Sequence, residues 1–112
     1  MSRNYRLNLL VLCGRNKQRS RTAEYIFKND SRFAIRSAGL SPQSDRKVQE
    51  ADLRWADKVI VMENSQQKKL RTLFPQLALP EVHVLHIPDD YAFMDETLVG
   101  LLKARIPAVA GF

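Results

Sequence analysis

Hydrophobic residues in this chain gather in four short runs separated by longer polar stretches. Leu7–Leu12, Phe33–Ile35, Lys58–Met62 and Val82–Ile87 are short and rich in Val, Ile and Leu. Runs of this kind, apolar on both faces, predict strands of a parallel sheet covered on two sides. Helical patterns lie between them. Ala23, Ile26 and Phe27 share one face of a helix over Thr22–Phe27. Leu53 and Ala56 mark a second helix that starts near Ser44 or Glu50. A third starts at Asn64 as N-cap, carries Leu70 and Leu73, and stops at Pro75, which cannot continue it. The last starts near Asp95, turns Leu98, Leu101 and Leu102 inward, and ends before Pro107.

Strand and helix therefore alternate four times. That order predicts an α/β fold, a small doubly wound four-stranded parallel sheet with helices on both faces. With no internal repeat, low-complexity tract or linker-like stretch, residues 1–112 read as a single domain. Ligands of such sheets bind beyond the carboxyl ends of the strands. Two chemically rich segments fall at those ends: Cys13-Gly-Arg-Asn-Lys-Gln-Arg19-Ser20 after the first strand, and His86-Ile-Pro-Asp-Asp-Tyr91 after the last. Both should face one crevice.

A loop between a strand and a helix N-terminus holds anions, because its backbone N–H groups and the helix dipole converge there. Cys13 adds a nucleophile and Arg19 a two-pronged oxyanion clamp. A free thiol is mostly neutral at pH 7, and a helix N-terminus with a nearby arginine favours its reactive anion. Five residues between Cys13 and Arg19 let the loop curl so that the N–H groups of Gly14, Arg15, Asn16, Lys17 and Gln18 surround three phosphate oxygens, with sulfur in line behind phosphorus. Gly14 has backbone freedom, and Asn16 is among the few side-chain-bearing residues that tolerate positive φ. Ser20 is suited to cap the helix and to donate its hydroxyl proton to sulfur. Phosphoryl transfer to sulfur also needs a proton for the departing oxygen, and Asp89 or Asp90 can supply one as general acid. A Pro-Asp-Asp sequence also favours a turn for purely structural reasons. His83 reads as a strand histidine, His86 as a structural residue nearer the crevice, Trp55 as core, and Lys68-Lys69 as a solvated helix face.

Net charge changes the choice of partner. Lys and Arg number 18 against 12 Asp and Glu, for a net charge of +6, so anionic partners are attracted. The basic string from Arg15 to Arg21 has no interleaved aromatics for base stacking, which argues against nucleic acid. The partner expected is a phosphorylated protein or a small phosphomonoester, and the pattern specifies no oligomer. A single cysteine excludes an intrachain disulfide and a multi-cysteine metal cluster, and nothing calls for a cofactor. A lone thiol suits a reducing compartment. No segment has the apolar length to span a bilayer, and the lead-in Met1-Ser-Arg-Asn-Tyr-Arg6 is too quickly followed by Cys13 and Arg15 to form a signal segment. The expected location is cytoplasmic.

The stretch Val11-Leu-Cys-Gly-Arg-Asn-Lys-Gln-Arg-Ser-Arg-Thr-Ala-Glu24 resembles the phosphate-binding loop of low-molecular-weight protein tyrosine phosphatases. Ser37-Ala-Gly39, Trp55-Ala-Asp-Lys-Val-Ile-Val-Met62 and the late Asp-containing turn match in order. The resemblance covers most of the chain and points to a compact bacterial branch. It implies Cys13 as a nucleophile that forms a phosphocysteine, Arg19 as transition-state clamp, and Asn16 and Ser20 as residues that order the loop. The family's acid lies in an Asp-Pro-aromatic turn. That places Asp89 as the acid, Asp90 at the proline position, and Tyr91 as an aromatic wall for the substrate ring. Arg15 stands where the family usually has glycine and Gln18 where many members have a second cysteine. The stretch between Gly39 and Trp55 is trimmed.

Two other functions fit parts of the pattern. Arsenate reduction uses a similar anion loop but needs further thiols. With one cysteine this chain would depend wholly on glutathione or a similar small-molecule reductant, which ranks it below hydrolysis. A non-catalytic binder of phosphorylated or nucleic-acid ligands would use the basic loop but leave Cys13 and Asp89 without a reason to share a crevice.

Overall fold

In the computed structural model, which describes residues 6–112, the apolar runs form strands β1 (Leu7–Cys13), β2 (Phe33–Gly39), β3 (Lys58–Val61) and β4 (Glu81–Val84). Helices α1 (Arg19–Phe27), α2 (Glu50–Trp55), α3 (Asn64–Leu73) and α4 (Glu96–Ala110) alternate with them. The lead-in residues 1–5, read above as unsuited to a signal segment, lie outside the described residues. The sheet is wholly parallel in the order β2-β1-β3-β4. Chain direction along the sheet reverses between β1 and β3, and the crevice opens at that switch point.

Burial on both faces explains the unbroken apolar character of β1. Leu9, Val11 and Cys13 join Ala23 and Phe27 of α1 and Leu98, Leu102 and Ile106 of α4 in one core. Leu10 and Leu12 point the other way, into a second core with Leu53 of α2 and Leu70 of α3. The period of two along a strand thus feeds two hydrophobic layers, and neither tolerates a polar position.

Several boundaries differ from the local pattern, four of them for a tertiary reason. β2 continues past Ile35 to Gly39 because β1 keeps offering a ladder, with Leu10 opposite Arg36 and Cys13 opposite Gly39. β4 ends at Val84 because His86 adopts a left-handed φ of 59°. Its continuation still leans on β3, with Leu85 N–H donating to Val61 O at 2.9 Å and Ile87 N–H to Met62 O at 3.0 Å. The N-cap of α3 is Glu63 rather than Asn64, in a capping box with Gln66. Finally, α4 runs through Pro107 to Ala110. A proline there forfeits one bond to the carbonyl four residues back, that of exposed Lys103. Burial of Ile106 and Ala110 carries the helix on to Gly111, which closes it at φ 96°.

Among the described residues, no helix is long and apolar enough to cross a membrane.

Candidate active site

The loop after β1 is shaped from outside by the segment that follows β2. Leu40 N–H donates to Cys13 O at 3.0 Å, Ser41 N–H to Gly14 O at 2.8 Å and Asp45 N–H to Arg15 O at 3.2 Å. Ser44 Oγ adds a bond to Gly14 O at 3.1 Å. A trans peptide sets its C=O and N–H in opposite directions. Carbonyls tied outward at Cys13, Gly14 and Arg15 therefore turn the N–H groups of Gly14, Arg15 and Asn16 to the inner side. Asn16 then bends the loop with a left-handed φ of 58°, a conformation Asn adopts more readily than most. At the far end, α1 presents its N-terminus with no acidic residue in the first turn and no side-chain cap from Gln18. Its first N–H groups remain available to an anion.

Gly39 makes this bracing possible. A Cβ there would stand 2.1 Å from Ser44 Oγ, 2.6 Å from Ser44 Cβ and 2.9 Å from the Arg15 carbonyl carbon. We expect Gly39→Ala to lose about 1–3 kcal/mol and several degrees of Tm. Turnover should fall further than stability, since relief of the clash moves Arg15. Thermal unfolding and an activity assay on the same sample check this, and an unchanged Tm would remove Gly39 from the account.

Cys13 lies on the cavity floor, 3% exposed. Its Sγ is 3.0 Å from Ser20 Oγ, which in turn donates to Asn16 Oδ1 at 2.8 Å. Ser20 therefore does not cap α1. It sits inside the first turn with its hydroxyl directed to sulfur and to the loop. A serine hydroxyl has one proton. When sulfur is anionic that proton must turn to it, and Asn16 must then offer its amide N–H₂ to Ser20 Oγ. An amide can do so by exchanging its two ends.

Arg19 is 4% exposed and held at two points. Nη1 donates to Glu63 Oε2 at 2.5 Å and to the carbonyl of Ile87 at 2.8 Å. Glu63 is the second residue past β3 on the other side of the switch point, and Ile87 is pinned to Met62. Nε is buried without a hydrogen-bond partner and stands 3.7 Å from Asp89 Oδ1. Buried donors are normally paired, and an orphan beside a cavity is suited to an incoming oxyanion.

A cavity of about 490 Å³ joins these groups. Cys13, Gly14, Arg15, Lys17, Gln18 and Arg19 line it from the loop, Ser41 from the brace and Asp89 from the opposite wall. The structure thus places Cys13, Arg19 and Asp89 around one space. Asn16 and Ser20 stand behind the loop and contact it rather than the cavity. Asp90 is exposed and outside the lining. Tyr91, expected as an aromatic wall, packs against the α1–α4 core instead, so no aromatic side chain lines the cavity among the described residues. His83 pairs with Glu81 and His86 is exposed, both away from the lining.

Sequence reasoning missed Glu63 and the brace at residues 40–45. Position could have exposed Glu63, since a carboxylate two residues beyond β3 stands at the same sheet edge as Cys13. For the brace, only the Ser37-Ala-Gly39 stretch gave a signal.

No protein-family model matches the sequence. The chain is 31% identical over 123 residues to the low-molecular-weight protein-tyrosine-phosphatase Ptp of Acinetobacter johnsonii, covering 80% of this chain and 87% of that protein. Its fold is similar to SP-PTP, a low-molecular-weight protein tyrosine phosphatase from Streptococcus pyogenes. The TM-score is 0.74 at 14% identity, over 92% of this chain and 93% of that one. It is also similar to the tyrosine phosphatase Wzb of Escherichia coli K30, solved with phosphate. There the TM-score is 0.71 at 23% identity, over 96% of this chain and 98% of that one.

Proposed function

This chain belongs to the low-molecular-weight protein-tyrosine-phosphatase family, and from that premise we propose that it hydrolyses phosphotyrosine-type phosphomonoesters with Cys13 as nucleophile, Arg19 as clamp and Asp89 as general acid. One observation carries the residue assignment: Cys13 Sγ lies on the floor of a cavity whose walls include Arg19 and Asp89. The phosphoryl group enters the ring of loop N–H groups. Arg19 gathers its oxygens, and the Cys13 thiolate forms an S–P bond as the ester P–O bond breaks. Asp89 gives its proton to the departing oxygen. Water then attacks phosphorus, Asp89 takes a proton from it, and the P–S bond breaks with Ser20 donating to the released sulfur. Inorganic phosphate leaves and every group returns to its starting state.

Asp89 is favoured over Asp90 because it lines the cavity and stands 3.7 Å from Arg19. Its side chain is 64% exposed, which leaves it free to meet both a substrate oxygen and water. Arsenate reduction is not favoured, since the chain has one cysteine and no second thiol of its own to resolve it. A purely binding role would leave Asp89 unused.

The test is hydrolysis of aryl phosphates with leaving groups of graded basicity. Asp89→Ala should slow release of a basic phenol by about 10²–10⁴-fold and of p-nitrophenol far less. Asp90→Ala should show no such dependence. If the signature follows Asp90, the acid has been misassigned; if the wild-type protein releases no p-nitrophenol, the phosphatase reading itself fails.

A further inference from the structure

We propose that Arg15 selects phosphotyrosine set in an acidic stretch of polypeptide, by pairing its guanidinium with a carboxylate next to the phosphorylated residue. The inference rests on the phosphatase reading and deepens it from the rim of the same cavity.

Three cations and one carboxylate line that cavity. Two of the cations are balanced within the protein. Arg19 is bonded to Glu63, and Lys17 Nζ lies 3.4 Å from Asp45 Oδ1. Arg15 is exposed, and its guanidinium makes no hydrogen bond, ion pair or ring contact with any described residue. Its backbone is held in the cradle by the bond from Asp45 to its carbonyl, so the charge is anchored at the mouth and not on the floor. A bound phosphoryl group is met by Arg19 and the loop N–H groups, which leaves the charge of Arg15 uncompensated.

The walls reinforce this reading. Tyr91 is half-buried against the core, and no aromatic lines the cavity among the described residues. A substrate ring therefore finds no stacking partner there, and discrimination falls to charge at the rim. A guanidinium suits this task because its planar fork matches a carboxylate in two-point geometry. The carrier is a polypeptide because a neighbouring residue places a second anion beside the phosphate without altering the ester itself.

The experiment compares two phosphotyrosine peptides, one with Glu and the other with Gln on both sides. In the wild-type protein the Glu peptide should show about fivefold higher kcat/KM at low salt, as expected for one partly exposed ion pair. The advantage should shrink as salt rises. Arg15→Gln keeps side-chain length and should bring the ratio to about one. Arg71→Gln removes the same charge from the exposed end of α3, outside the cavity, and should leave the ratio in place. Binding of the same peptides to Cys13→Ser gives a readout that needs no turnover. A Glu preference in binding that vanishes with Arg15→Gln upholds the inference even if the protein proves not to hydrolyse aryl phosphates. A wild-type ratio of one, a ratio that survives Arg15→Gln, or an equal loss with Arg71→Gln overturns it.

Discussion

Cys13→Ser is expected to lower turnover of p-nitrophenyl phosphate by about 10⁴-fold or more while inorganic phosphate still binds. Both halves follow from the site. The substitution removes the atom that forms the covalent intermediate. An alcohol at that position is far less ionised than a thiol, and its phosphate ester is harder to break in the second step. The cradle, in contrast, is built from backbone. Gly14, Arg15 and Asn16 are oriented by carbonyl bonds to residues 40–45, and Arg19 by Glu63 and Ile87. Neither set touches the Cys13 side chain. The new hydroxyl is also provided for, since Ser20 Oγ lies 3.0 Å from the atom it replaces, so a buried polar group is not orphaned. Phosphate should therefore raise Tm in both proteins, because a ligand that binds only the folded state stabilises it. Residual turnover within about a hundredfold of wild type would mean that sulfur is not the covalent nucleophile. Loss of the phosphate effect would mean that the anion is held by something other than the cradle.

Much of this site was legible along the chain, for an identifiable reason. β1 is buried on both faces, so its apolar run cannot be mistaken for a surface segment, and whatever follows it must emerge at the sheet edge. Cys13, Arg19 and the α1 N-terminus are consecutive products of that geometry. Asp89 could be placed the same way, as the segment beyond the last strand. What escaped depends on pairings between residues far apart in the chain. Glu63 bears on the site only through Arg19, 44 residues away, and no local pattern marks a helix cap as an arginine anchor. Residues 40–45 look like an ordinary polar turn, and their meaning lies in carbonyls of the Cys13 loop that a one-dimensional pattern does not contain. Ser20 has the composition of a cap, yet the competing attraction of sulfur and Asn16 takes its hydroxyl elsewhere. Pro107 reads as a stop, yet the core contacts of Ile106 and Ala110 outweigh one forfeited hydrogen bond. Tyr91 sits beside the acid in sequence, but the α1–α4 core claims its ring.

Arg19→Lys is expected to fold normally and to lose about 10³-fold or more in kcat, the range seen when a phosphoryl-transfer site loses its arginine. The buried charge survives in the lysine, whose ammonium can still reach a carboxylate or a carbonyl, so the protein is not left with an unpaired Glu63. The fork does not survive. Arg19 now spends Nη1 on Glu63 and Ile87 and keeps Nε beside Asp89 without a partner. That division fixes the guanidinium plane with one edge and leaves other donors for oxygens whose charge shifts as the P–O bond breaks. A lysine offers one nitrogen for both tasks, and what it gives to Glu63 it takes from the transition state. The loss should therefore fall on kcat more than on KM, the mark of an interaction made in the transition state. Glu63→Gln tests the anchor separately. It keeps an acceptor for Nη1 but not the charge, so the plane is held more loosely and kcat should fall by about tenfold, with the phosphate-induced rise in Tm retained. Steady-state kinetics on both variants decide the matter. If Arg19→Lys keeps kcat within about tenfold of wild type, point charge alone suffices and the two-sided hold on the guanidinium has no catalytic purpose.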